Sequence, residues 1–68
     1  MRYWLQKFRT DAGLTQDEVS DKVGISQNHY SAIESGVRNP SIEKAKKIAN
    51  IFHFDWTLFY EQPNQNVS

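Results

Sequence analysis

Between Gly24 and Gly36 the chain reads GISQNHYSAIESG, and Gln27, Asn28 and Ser31 within it carry side chains that hydrogen-bond without carrying charge. A carboxamide donates through nitrogen and accepts through oxygen at once, so it can meet a planar partner offering one acceptor and one donor side by side. On a helix, at about 100° per residue, Gln27, Asn28, Ser31, Ala32 and Ser35 fall on one face, while Tyr30 and Ile33 fall on the opposite side. A face that is only solvated would carry Lys and Glu, as EKAKK at residues 43–47 does. The chemistry on offer is therefore recognition rather than bond making. The chain has no cysteine, and His29 and His53 are too far apart to show ligand spacing. No glycine-rich phosphate loop and no paired carboxylates in a pocket-like context are present, so no enzyme, metal site or cofactor is expected.

Such a face needs a helix held firmly from behind, and the punctuation of the sequence supplies one. Met1, Trp4, Leu5, Phe8 and Ala12 follow helical spacing, which predicts an amphipathic helix over residues 1–12 ended by Gly13. Thr15 and Glu18 fit a capping box opening a second helix that buries Val19 and Val23 and stops at Gly24. Ser26 caps a third helix running to Ser35, and Pro40 and Ser41 end the VRNPS loop and open a fourth. Ile42, Ala45, Ile48, Ala49 and Phe52 make the apolar stripe of that fourth helix, with Glu43 and Lys47 paired four apart on its wet side. His53 stands where a left-handed cap is usual. Asp55 caps a last short helix through Tyr60, and EQPNQNVS at 61–68 reads as a polar, flexible tail. The expected fold is an all-α, compact five-helix domain over residues 1–60.

At 68 residues, without a disulfide, this single domain has to draw its stability from helix packing. Eight basic and eight acidic residues balance to zero, which argues against a strong non-specific polyanion binder but leaves a specific one open. No signal peptide or membrane span is read, so a cytoplasmic home is expected, with neither a membrane nor a small-molecule ligand among its partners.

Helices two and three are separated by about three residues around Gly24, and two helices joined so tightly form a helix-turn-helix, at about residues 15–35. The second of such a pair can enter the major groove of DNA, where Gln and Asn suit the N7 and N6 edge of adenine and a small Ala32 leaves room for a thymine methyl. The stretch LTQDEVSDKVGISQNHYSAIESGVRNPSIEKAKKIANIF, with Arg9 before it, resembles the Xre/Cro family of helix-turn-helix regulators, which includes phage repressors. Its specific parts are Arg9, LTQ at 14–16, Gly24-Ile25-Ser26, Ile33-Glu34, Gly36 and RNPS at 38–41, and the likeness spans roughly residues 5–60. The resemblance implies a lambda-repressor-like fold and a role for each matched position. Gln27, Asn28, Ser31 and Ala32 would face bases. Gln16, Arg38, Asn39 and Ser41 would contact phosphates; separately from the resemblance, His29 on the flank of helix three is expected to join them. Arg9 and Glu34 would form an internal ion pair.

Four departures from the family pattern stand out. Ser20 replaces the usual alanine where the helices cross, adding a hydroxyl that needs a partner. Tyr30 replaces the commoner aliphatic anchor, and its hydroxyl is expected to reach a DNA phosphate. Val37 stands where lysine is frequent, and the outward side of helix two is acidic through Asp17, Glu18 and Asp21.

Aromatic residues crowd positions 54–60, more than a one-layer core can cover, which makes Trp56, Phe59 and Tyr60 a candidate dimer surface. A homodimer would set two recognition helices about 34 Å apart, matched to a near-palindromic operator. The function expected is a sequence-specific double-stranded-DNA-binding transcriptional regulator, acting as a repressor from the nucleoid. The alternative is a protein-interaction module, an antitoxin or anti-regulator, on the same scaffold.

Overall fold

Three of the four α-helices among the described residues open on a side-chain cap that satisfies backbone groups the helix itself leaves over. A computed structural model describes residues 1–60, in the order α1 (Tyr3–Asp11), α2 (Gln16–Val23), α3 (Gln27–Ser35), α4 (Ile42–Phe52) and a terminal 3-10 helix (Trp56–Tyr60). Thr15 Oγ1 accepts from the Glu18 N–H at 3.1 Å and Glu18 Oε1 accepts from the Thr15 N–H at 2.8 Å, a complete capping box. Ser26 and Ser41 cap α3 and α4 by accepting from the N–H groups of His29 and Lys44 at 3.0 and 3.2 Å. His53 ends α4 at φ 62° and ψ 49°, the left-handed cap expected of it.

The turn between α2 and α3 depends on Gly24. Its φ of 87° is open to glycine at no steric cost, and it lets the Gly24 and Ile25 N–H groups both donate to the Ser20 carbonyl, at 2.9 and 3.0 Å. The Ser20 hydroxyl finds the partner it needs in the Asp17 carbonyl at 2.8 Å, so it is buried at the crossing without an unmet donor.

Behind the turn, Val19 and Val23 of α2, Tyr30 and Ile33 of α3, and Ala45, Ile48 and Phe52 of α4 meet Leu5 and Phe59 in one buried cluster. The long sides of α3 and α2 are therefore fixed to a common core, and the opposite side of α3 faces away from it.

Four sequence expectations are corrected. The first helix covers Tyr3–Asp11 rather than 1–12, and of its expected stripe only Leu5 is buried; Met1 and Ala12 are exposed and Trp4 is half-buried. Phe8 stacks on Phe54 with ring centroids 5.1 Å apart and 9° between planes, so one face is covered and 36% of the residue remains in water. The fifth element is a 3-10 helix, not an α-helix: over five residues the shorter i→i+3 ladder prevails, with the Leu58 N–H donating to the Asp55 carbonyl at 3.0 Å. Ile42, counted in the apolar stripe, is 55% exposed because it opens α4 before the stripe turns inward. Asp55 does act at this last element, accepting from the N–H and hydroxyl of Thr57 at 3.0 and 2.8 Å. The expected tail at 61–68 lies outside the described residues.

Candidate nucleic-acid interface

The outward side of α3 carries the residues singled out by type and spacing. Gln27 and Asn28 are exposed, Ser31 and Ala32 half-exposed, and among the described residues none of the three polar side chains has a hydrogen-bond partner. Their donors and acceptors are left to water or to whatever docks there. Ser35, further along, turns its hydroxyl back to the Ala32 carbonyl at 3.1 Å and so presents less of it.

The inward side of α3 is bound to the rest of the molecule through Glu34, which is fully buried. Arg9 meets it with two donors, Nε at 2.8 Å from Oε2 and Nη2 at 3.1 Å from Oε1, and sends Nη1 to the Leu14 carbonyl at 3.0 Å. Gln16 Nε2 donates to Oε1 at 2.9 Å and the Tyr30 hydroxyl to Oε2 at 3.0 Å. Four donors thus fill a carboxylate with about four lone-pair sites. Burial alone would raise the Glu34 carboxyl, but the hydrogen bonds from Arg9, Gln16 and Tyr30 outweigh it and hold the group below the usual carboxylate range. The Arg9–Glu34 pair therefore ties α1 to α3, and Gln16 brings in α2.

Two expectations change at this network. Tyr30 is completely buried, and its hydroxyl faces Glu34 one helical turn on rather than a phosphate. Burial, reinforced by the Glu34 charge, pushes that hydroxyl far above the ordinary tyrosine range, which keeps it a neutral donor. Gln16 is half-buried with its nitrogen turned inward, so one amide N–H is already committed to Glu34. The inward bond of Gln16 was invisible to sequence reasoning because it joins residues 18 apart.

The loop after α3 is exposed at Val37, Arg38 and Asn39. Gly36, at φ 90°, reverses the chain so that the Arg38 N–H returns to the Ala32 carbonyl at 3.1 Å, which sets the loop beside the outward face of α3. The Arg38 side chain has no partner among the described residues, and His29 sits half-buried on the flank of α3. The exposed Ser41 keeps its hydroxyl hydrogen, since its oxygen alone is used in capping α4. The acidic residues Asp17, Glu18 and Asp21 on the outer side of α2 are exposed, as expected.

Sequence reasoning missed Arg2 altogether. Its guanidinium reaches the Ile33 and Arg38 carbonyls and the Asn39 side chain, contacts that span 31, 36 and 37 positions in sequence. Nothing in its immediate neighbourhood signals this, apart from the lack of an acidic residue three or four positions on, where Leu5 and Gln6 stand.

The terminal aromatics divide. Phe59 is 2% exposed, edge-on to Trp4 with centroids 5.2 Å apart, and is removed from the expected dimer surface because the core uses it. Trp56 is half-buried and Tyr60 exposed; with Pro40 and Ile42 they line an open apolar groove of about 550 Å³. The Tyr60 hydroxyl donates to the Pro40 carbonyl at 2.6 Å, and Lys46 Nζ lies 5.3 Å from the Trp56 ring centroid.

Comparisons with known proteins bear on the family and the fold. Residues 5–59 match the family described as Helix-turn-helix. Over 61 residues the chain is 46% identical to the uncharacterized HTH-type transcriptional regulator YqaF of Bacillus subtilis (strain 168), covering 90% of this chain and 80% of that one. It is 31% identical over 48 residues to the cryptic phage CTXphi transcriptional repressor RstR of Vibrio cholerae, covering 71% of this chain and 43% of RstR. The N-terminal DNA binding domain of SinR from Bacillus subtilis superposes with a TM-score of 0.74 over 93% of both chains at 20% identity, a likeness of fold.

Proposed function

Since this chain belongs to the helix-turn-helix family in its Xre/Cro form, we propose that it is a sequence-specific regulator of transcription that inserts α3 into the major groove of double-stranded DNA. One observation carries the reading. Gln27 and Asn28 stand exposed and, among the described residues, without internal partners on a helix whose rear is fixed by Tyr30, Ile33 and the four-donor Glu34 site. A base-reading side chain has to be free at its tip and immobile at its root, because orientation supplies the discrimination.

Gln27 and Asn28 read base edges, with Ser31 beside them and Ala32 allowing close approach. Arg38, Asn39 and the Ser41 hydroxyl hold phosphates on one side. The N-terminus of α2 does so on the other, through backbone N–H groups and the remaining N–H of Gln16, and His29 adds a flank contact. The name of RstR, a transcriptional repressor, supports repression as the outcome, and covering promoter DNA would be the means. A homodimer through the groove at Ile42, Trp56 and Tyr60 would present two α3 helices to a near-palindromic operator. Its work on DNA would place it in the cytoplasm; among the described residues no helix is long and apolar enough to cross a membrane.

Selection of bound sites from random duplex DNA tests the proposal. The wild-type protein is expected to enrich a short motif, and a Gln27→Ala, Asn28→Ala variant to lose that preference while keeping its helical signal and melting temperature. Enrichment of no motif, or an unaltered preference in the double variant, would give way to the second reading, a protein-interaction module on this scaffold.

A further inference from the structure

Arg2 precedes α1, yet its contacts are with the far end of α3 and the loop beyond. Its backbone N–H donates to the Glu34 carbonyl at 2.9 Å, and its Nη1 donates to the Ile33 carbonyl. Both carbonyls belong to the last turn of α3, an end that favours a cation, and that of Ile33 also accepts from the Gly36 N–H at 3.2 Å. The same Nη1 donates to the Arg38 carbonyl at 3.0 Å, and Nη2 donates to Asn39 Oδ1. The guanidinium carbon lies 5.5 Å from the centroid of the Phe59 ring, which is buried and cannot yield. Among the described residues no carboxylate pairs with it. One planar fork therefore joins the end of α3, the backbone of the loop and a loop side chain.

The chemistry of the Asn39 contact matters most. A guanidinium has five N–H donors and no acceptor, so only the oxygen of the amide can face it. With Oδ1 held there, the end of Asn39 left over is its NH2. A free amide could turn either end outward, and the oxygen end would repel a phosphate.

We propose that Arg2 is a positioning residue for the backbone-gripping loop: it fixes residues 37–39 in register with α3 and turns the Asn39 amide so that a donor faces outward. This rests on the reading of Asn39 as a phosphate contact. Arg2 need not touch DNA to do it. Lysine in its place would keep the charge but lose the planar fork that spans two carbonyls and an amide at once.

The test uses the full chain in four forms: Arg2→Met, Arg2→Lys, Asn39→Ala, and Arg2→Met with Asn39→Ala. Affinity is read on the duplex selected for the wild type and on an unrelated duplex, at a temperature where each form keeps its full helical signal. Arg2→Met is expected to weaken binding to both duplexes alike by about tenfold, the equivalent of one charge-assisted hydrogen bond. Arg2→Lys is expected to restore less than half of that loss on a logarithmic scale. In the Asn39→Ala background the same Arg2→Met change is expected to cost less than twofold. Costs that simply multiply would show that Arg2 does not act through Asn39 and would overturn the proposal, as would full rescue by lysine. In the free protein, the backbone amides of residues 37–39 and the Asn39 side-chain NH2 are followed by NMR. They are expected to shift and exchange faster in Arg2→Met while α2 and α3 stay protected, and an unaltered loop would equally overturn the proposal. An Asn39→Ala protein that binds as tightly as wild type, with the loop still loosened by Arg2→Met, would sink the phosphate reading of Asn39 and leave the fastening of the loop supported.

Discussion

Replacing Tyr30 by phenylalanine removes one oxygen and nothing else from the interior. The ring keeps its place among Val19, Val23, Ile33 and Ile48 in the buried cluster, so no cavity forms. What is lost is one of the four donors on Glu34, the 3.0 Å bond to Oε2. A hydrogen bond to a charged group contributes about 1.5–3 kcal/mol. A domain of this size has only about 3–10 kcal/mol in total. At about 4–8 °C per kcal/mol, the melting midpoint should fall by roughly 10 °C. The loss should depend on acidity in a definite sense. Glu34 is held below its ordinary value in the fold, so its stabilisation is complete above the unfolded value of about 4.3 and disappears as pH falls through the lower folded value. The gap between wild type and Tyr30→Phe should accordingly be widest near neutral pH and narrow in acid. Thermal melts followed by circular dichroism at pH 7 and below pH 3, beside DNA titrations at several salt concentrations, make the measurement. Once corrected for folded fraction, DNA affinity and its salt dependence should match wild type. A variant that melts like wild type yet binds DNA less tightly would refute the buried placement of the hydroxyl and return it to a phosphate.

Arg38→Ala should reduce the slope of log affinity against log salt by about 0.9, as one released counterion is lost, with stability almost unaltered because the side chain is exposed. Val37→Lys, at a position 80% exposed, should do the reverse, steepening the slope by about 0.9 and tightening binding to every duplex at low salt. Ile42→Glu would place a charge in the groove beside Trp56 and Tyr60; sedimentation should show the proposed homodimer weakened with the monomer fold intact, and an unchanged association would exclude that groove.

The helix ends were readable because each cap is a local event. Thr15 and Glu18, Ser26, Ser41 and His53 each act within four residues of themselves, and their chemistry is the same in any tertiary setting. The outward direction of Gln27 and Asn28 followed from periodicity in the same way. Where a side chain ends was less legible than where it begins. Spacing directs the Tyr30 ring inward, but its hydroxyl settles only once Glu34 is held by Arg9 from 25 residues away. Among the aromatics, composition shows an excess without saying which ring is covered; Phe59 is buried because Trp4 and Arg2, from the other end of the described chain, close over it. Arg2 itself was unreadable for that reason, its partners lying on elements not yet folded when the sequence is read in order.

The shared carboxylate at Glu34 has a consequence for how this molecule can change over time. Its donors come from α1, α2 and α3, so if any of these swings away it strands a buried negative charge, and the three can only yield together. The tips of Gln27, Asn28 and Ser31 carry no such obligation to their neighbours. On the proposed reading of these side chains, drift at those positions can rewrite which sequence is preferred while the frame beneath them stays as it is.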